Sequence, residues 1–196
     1  MRPALNPEAL AQLFTEARTH NGFLPEPVAE ATLRQLYDLM KWAPTSMNAQ
    51  PARLVFVVSA AAKQKLAPAL SPGNLDKTLA APVTAIIAQD SRFFEHLPTQ
   101  FPAYDARPMF EANAELAGAT AFRNSSLQGA YLILAARALG LDCGPMSGFD
   151  AARVNEAFFP DGRYQANFLC NLGWGDASKL YPRGPRLSFE EVCRIT

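Results

Sequence analysis

Apolar residues recur at two different periods along this chain, and the changes of period mark its elements. After Asn6 and Pro7, a capping side chain and a proline suited to a first helical turn, Leu10, Leu13, Phe14 and Ala17 recur at helical spacing and predict a helix ending near residues 18–22. Leu33, Leu36, Tyr37 and Met40 form the stripe of a second helix, which Pro44 stops because proline disfavours helical geometry in the residue before it. Leu54 to Val58 (LVFVV), Val83 to Ala88 (VTAIIA) and Asn167 to Leu172 (NFLCNL) are short apolar runs bounded by breakers, the pattern of buried strands. Residues 116–139 carry the longest helical pattern. Its second half, AYLILAARALG, is apolar nearly all round and predicts burial in the core or between subunits, with Gly140 as the stop. Asp150 offers a cap for a helix through Phe158, and Ser188 with Glu191 has the spacing of a capping box for a last short helix. Residues 91–114 are rich in aromatics and proline without a sustained period, a partly helical excursion of the kind used for lids and binding loops. No repeat or linker interrupts the pattern, so residues 1–196 are expected to form one domain.

Composition adds one expectation and removes several. Hydrophobic residues make up 49% of the chain and charged residues 18%, which is lean in charge for a monomer and predicts an extensive subunit interface. Eighteen basic and 18 acidic residues give no net charge, so no global field draws the protein to nucleic acid or anionic lipid. The N-terminal stretch lacks a long apolar region with a cleavage site, and no run approaches 18 apolar residues; the reading is a soluble, cytoplasmic protein without a membrane partner. Cys143, Cys170 and Cys193 have no CxxC spacing and are joined by only two histidines, His20 and His96, so neither a metal site nor a disulfide framework is expected. Gly173-Trp174-Gly175 lacks the third glycine of a Rossmann fingerprint, Ser178 standing there, which argues against a dedicated dinucleotide domain.

The densest candidate chemistry lies in Trp42 to Pro51, WAPTSMNAQP. Thr45, Ser46, Asn48 and Gln50 place four hydrogen-bonding side chains between Pro44 and Pro51, where prolines fix the backbone and the polar groups remain free for a planar heterocycle. A helix-ending turn that satisfies its own Asx and Ser bonds accounts for the same residues equally well.

This segment resembles the W-x-P-S-x-x-N-x-Q-P element of the nitroreductase family of FMN-dependent oxidoreductases. Ala138 to Asp150 (ALGLDCGPMSGFD) resembles the family's turn after its central helix, and Asn74 to Lys77 its N-x-x-K step, all in the family's order. The resemblance implies an α+β fold with a central mixed, mainly antiparallel sheet flanked by helices, an intertwined homodimer, and FMN sites built from both subunits. Pro44, Thr45, Ser46 and Asn48 would come from the partner chain. Asn74 would face the flavin ring and Lys77 its O2 side or ribityl chain. Pro145, Met146, Ser147 and Gly148 would run beside the ring, with the backbone N–H of Ser147 or Gly148 directed at N5; Ser147 stands where many members carry glutamate, so the role carried over is a backbone one. The family's phosphate-binding elements are matched by Arg18, Thr19 and His20 near the N-terminus and by Arg183 and Arg186 near the C-terminus.

The activity this implies is FMN-dependent hydride transfer from NADH or NADPH to a small acceptor in a ping-pong cycle, with no residue assigned as catalytic because flavin N5 carries the hydride. FTEARTHNGF, residues 122–150 and SKLYPRGPRLSFEEV look most like the branch containing the malonic semialdehyde reductases of pyrimidine breakdown, with Arg107 and Arg123 as positional candidates for an anionic aldehyde. Three alternatives stand beside it: a general nitroreductase or quinone reductase served by the aromatic excursion, a flavin-binding dimer without turnover, and a flavin-independent NAD-dependent aldehyde reductase.

Overall fold

The computed structural model of the chain describes residues 3–196. In chain order the elements are α1 (Pro7–Leu10, continued by a π-helical Ala11–Thr15), α2 (Glu30–Met40), β1 (Ala52–Val57), α3 (Ala60–Leu66), α4 (Pro72–Ala80), β2 (Val83–Asp90), α5 (Leu97–Gln100), α6 (Arg107–Glu111), α7 (Ala114–Ala138), β3 (Asp142–Met146), α8 (Ala151–Phe158), β4 (Tyr164–Gly173) and α9 (Phe189–Val192). The strands form one sheet in the order β1-β2-β4-β3, antiparallel in every pairing. A one-residue parallel bridge joins Thr19 to Cys143 of β3, whose one strand partner is β4.

The sheet is covered on both faces. On one, Val83, Ala85, Ile87, Cys143, Cys170 and Leu172 pack against Leu36 and Met40 of α2 and Leu132, Ala135 and Ala136 of α7. On the other, Ile86, Ala88, Met146 and Leu169 pack with Leu66 of α3 and Val154 of α8. This explains the unbroken run VTAIIA: β2 is central, buried on both sides, and has no solvent face to mark with polar residues. Residues 91–114 fold a third cluster in which Phe93 and Phe110 are buried against Ala117 and Ala121 of α7.

The caps match their sequence signals. Asn6 and Asp150 accept from the N–H groups of Ala9 and Arg153, and Ser188 and Glu191 form both bonds of the capping box; α7 starts at Ala114, two residues before the expected 116, with Asn113 accepting from the N–H of Leu116. Helix α7 ends in a Schellman motif: Gly140, at φ +79°, donates to the carbonyl of Arg137, and Leu141 to that of Ala136.

Three elements were not anticipated. Strand β3 contains Gly144 and Pro145, which read as breakers; proline is tolerated because β3 is an edge strand. Gly144 is required there, since a Cβ would stand 2.6 Å from the carbonyl of His20. Helices α3 and α4 are seven and nine residues long, too short to show a period. The stripe of α1 is the converse case: its spacing is helical, yet Leu10 and Phe14 remain exposed on this chain. Among the described residues no helix is long and apolar enough to cross a membrane.

Candidate functional site

One end of the sheet gathers most of the singled-out residues. Helix α4 opens with Pro72 at its first turn and lies beside the turn that follows β3. Asn74 donates its amide to the carbonyl of Gly148 at 2.8 Å, and the N–H of Ser71 donates to the same carbonyl at 3.1 Å. The contact as it stands requires glycine, because a Cβ on residue 148 would lie 2.5 Å from Asn74 Nδ2 and the amide would have to shift. One turn further along α4, Lys77 Nζ stands 3.3 Å from Asn21 Oδ1, and burial lowers its ammonium below the usual lysine value. Asn74, Lys77 and residues 145–148 therefore form one wall.

Beyond Asn21 the wall opens into a cavity of about 660 Å³. It is lined by Arg18, Arg137, Arg183 and Arg186 with Thr19 and Asn21, and no carboxylate lines it. The two chain ends meet here: Arg18 donates to the carbonyl of Tyr181, and Arg183 to that of Ala17 at 3.2 Å. Arg186 donates to Gly184 and Pro185 of its own segment. Arg137, in the last turn of α7, donates to Leu13 at 2.9 Å and keeps a buried Nε–H without a partner. Among the described residues none of these four guanidinium groups is in an ion pair, so the cavity concentrates positive charge in a chain of zero net charge.

One expectation needs correction here. His20 does not line the cavity: its ring is buried, Nε2 faces Asp142 at 3.3 Å, and Nδ1 presses on Gly175, where no side chain would fit. Its place is beneath the cavity, where the N–H of His20 donates to Cys143. Arg137 and Asn21, by contrast, escaped notice. Arg137 sits inside an apolar helical run and reads as a surface residue, and nothing in the sequence places it beside residues 181–186.

The segment around Asn48 is built differently from the expectation of free polar groups on a proline-fixed backbone. Met47, Asn48 and Gln50 all have left-handed φ values of 52°, 50° and 42°. Such backbone costs roughly 1–3 kcal/mol per non-glycine residue and persists only where surroundings impose it. Here Ser46 N–H donates to Asn124 of α7 at 2.8 Å, Asn48 Nδ2 to the carbonyl of Gln100 at 3.0 Å, and Gln50 Nε2 to Gln100 Oε1 and Asn48 Oδ1, both at 2.9 Å. Asn48 and Gln50 are thus engaged, with α5 as their partner. Within one chain the hydrogen bonds of Thr45, Ser46 and Asn48 do not reach the wall of Asn74 and Gly148. Pro44, Ser46 and Asn48 are nevertheless exposed, and neighbouring Trp42 is 77% exposed.

In the excursion, Phe93 and Phe110 meet edge to face at 4.9 Å as core residues. Arg107 is neutralised by Asp105 at 2.7 and 2.9 Å, whereas Arg123 is exposed on α7.

The fold has counterparts among known proteins. Residues 15–174 match the model of the Nitroreductase family. The assigned nitroreductase ydfN of Bacillus subtilis superimposes with a TM-score of 0.89 at 22% identity, covering 97% of this chain and 100% of that one. A protein of Exiguobacterium sibiricum assigned as a nitroreductase, in complex with FMN, gives 0.86 at 21% identity, with 100% and 99% covered. The assigned NAD(P)H:FMN oxidoreductase of Staphylococcus epidermidis gives 0.86 at 19% identity over the whole of both chains.

Proposed function

The chain belongs to the nitroreductase family, and on that premise we propose that it binds FMN between two copies of itself and passes electrons from NADH or NADPH to a small acceptor. The observation that carries this reading is the four-arginine cavity, free of carboxylates, that opens beside the wall of Asn74, Lys77 and Gly148. These residues fit the cofactor. A phosphate leaving water needs several charge-assisted hydrogen bonds of roughly 1.5–3 kcal/mol each. Arg18, Arg137, Arg183 and Arg186 offer them, and Thr19 and Asn21 add uncharged groups.

FMN, when bound, would supply the two-electron hydride chemistry between the reduced nicotinamide and the acceptor. The chain binds, orients and excludes water. Its arginines would hold the phosphate, Asn74 and Lys77 would meet the polar rim and ribityl chain, and residues 145–148 would run beside the ring, with the backbone N–H of Ser147 or Gly148 as the donor to it. Pro44, Thr45, Ser46 and Asn48 serve the site of the second copy. That assignment is supported by a single copy's surface: Phe122, Leu127 and Tyr131 of α7 are exposed, and Leu187, Phe189, Val192 and Ile195 of the tail face solvent.

A finer assignment, reduction of malonic semialdehyde to 3-hydroxypropionate, rests on sequence resemblance, with Arg123 the better candidate for the substrate carboxylate because Arg107 is already paired. The test is to purify the protein, record its visible spectrum and follow NADH and NADPH oxidation with malonic semialdehyde, a quinone and a nitroaromatic. Yellow protein whose flavin bleaches on NAD(P)H addition is expected. Colourless protein that refuses FMN would sink the proposal, and a bound flavin that no nicotinamide reduces would leave a flavin-binding dimer in its place.

A further inference from the structure

The last turn of α4 has a carbonyl that its own helix cannot satisfy. Continuing the helix, Thr78 would accept from the N–H of residue 82, but residue 82 is proline and has none. Lys63 of α3 supplies the donor, with Nζ 2.8 Å from Thr78 O and 2.6 Å from Thr84 Oγ1. Lys63 is only 4% exposed, and none of the ion pairs among the described residues includes it. A buried cation without a carboxylate is costly, and burial lowers its ammonium to about 8. What it gains is the negative end of a helix.

The hydrogen bonds run on from there in one direction. The Thr84 hydroxyl donates to Asn171 Oδ1 at 2.7 Å. Asn171 Nδ2 donates to Thr78 Oγ1 at 3.3 Å and to the carbonyl of Lys77 at 3.4 Å, and the Thr78 hydroxyl donates to Met146 Sδ at 3.5 Å. Thr78, Thr84 and Asn171 are fully buried. The network ends on both halves of the wall described above: on α4, which carries Asn74 and Lys77, and on β3, which carries Met146.

We propose that Lys63 is a positioning residue for the cofactor: it locks the C-terminal turn of α4 so that Asn74 and Lys77 are held against Gly148 and Asn21. This rests on the FMN reading. Without the ammonium, Thr78 O and Thr84 Oγ1 lose their donor in a site closed to water, and a two-turn helix transmits any shift at residue 78 to residue 74.

The test titrates FMN into apoprotein carrying Lys63→Met, Thr84→Val or Thr84→Ser, and follows amide hydrogen exchange of α4 in each. Lys63→Met and Thr84→Val are expected to raise the FMN dissociation constant at least about tenfold and to speed exchange in α4 above the rest of the chain. Thr84→Ser, which keeps the hydroxyl, should bind FMN as the unsubstituted protein does. Lowered thermal stability with unchanged FMN affinity would overturn the proposal as a merely structural role. Should Lys63→Met fail to fold, the Thr84 pair carries the test. If the unsubstituted apoprotein binds no FMN, the functional reading fails by itself, and unchanged α4 exchange in the variants would then overturn the lock.

Discussion

The side-chain amide of Asn74 reaches the carbonyl of Gly148 across 2.8 Å, and this bond joins α4 to the turn after β3 at the wall proposed to hold the flavin. Gly148→Ala places a Cβ 2.5 Å from Asn74 Nδ2, so one of the two must move. We expect FMN affinity to fall about tenfold or more, because displacements near 1 Å at a positioned group are costly. Equilibrium titration of apoprotein against FMN checks this; unchanged affinity would mean that the wall does not face the cofactor.

Arg137→Met removes a guanidinium that sequence reasoning did not single out. With its guanidinium on the phosphate, losing one charge-assisted bond weakens FMN binding roughly 10- to 100-fold. Arg18→Ala should weaken it comparably. Riboflavin, which lacks the phosphate, should bind the unsubstituted protein and both variants alike, and a variant effect on riboflavin would contradict the assignment.

Asn48→Gly and Asn48→Ala lose the same amide contacts with Gln100, but only alanine retains the cost of a side chain at φ 50°. The glycine variant is expected to be more stable than the alanine variant by about 1 kcal/mol. Urea denaturation of the two separates backbone strain from side-chain bonding, and equal midpoints would remove the strain argument.

Asp90→Asn tests the far end of the sheet. Asp90 is fully buried between Arg53 at 2.7 Å and Arg163 at 2.9 and 3.0 Å. Burial pushes its carboxyl up, but the bond from Arg163, the N–H of Arg92 and the charges of Arg53 and Arg163 bring it below the usual 3.8. The folded state therefore binds fewer protons than the unfolded chain in that range, and the stabilisation is present above the unfolded value and lost as pH falls through the folded one. Removing the charge should cost about 3–5 kcal/mol at neutral pH and flatten the acid limb of the stability curve.

Lys63 gives the opposite limb. Its folded value of about 8 lies below the ordinary 10.5, so between these the unfolded chain binds more protons and stability from this group rises with pH. Thermal midpoints recorded from pH 7 to about 10 should show a gain in the unsubstituted protein that Lys63→Met lacks; parallel curves would place Lys63 in water.

Much of this architecture is visible in one dimension because its causes are local. Asn6, Asp150 and Ser188 with Glu191 cap their helices through neighbours three residues away, and Gly140 closes α7 through a bond to Arg137. The central strand β2 announces itself because both of its faces are buried. Strand β3 stayed hidden for the converse reason: its glycine and proline look like breakers until an edge position and the close approach of His20 are known. Residues 91–114 were legible as an excursion but not as the core cluster of Phe93 and Phe110, since aromatic lids and aromatic cores share a composition.

The sequence by itself determined the capped helix ends, the central strand and the residue types brought to the candidate site, and through its motifs the family. Tertiary structure decided which of those residues meet. It placed Arg137 beside Arg183 and Arg186, turned His20 toward Asp142, engaged Asn48 with Gln100, and set Lys63 under a carbonyl that Pro82 leaves without a donor. Caps and hydrophobic periods act over three or four residues, whereas the convergence of charges and the satisfaction of buried polar groups depend on chain crossings that no local pattern encodes.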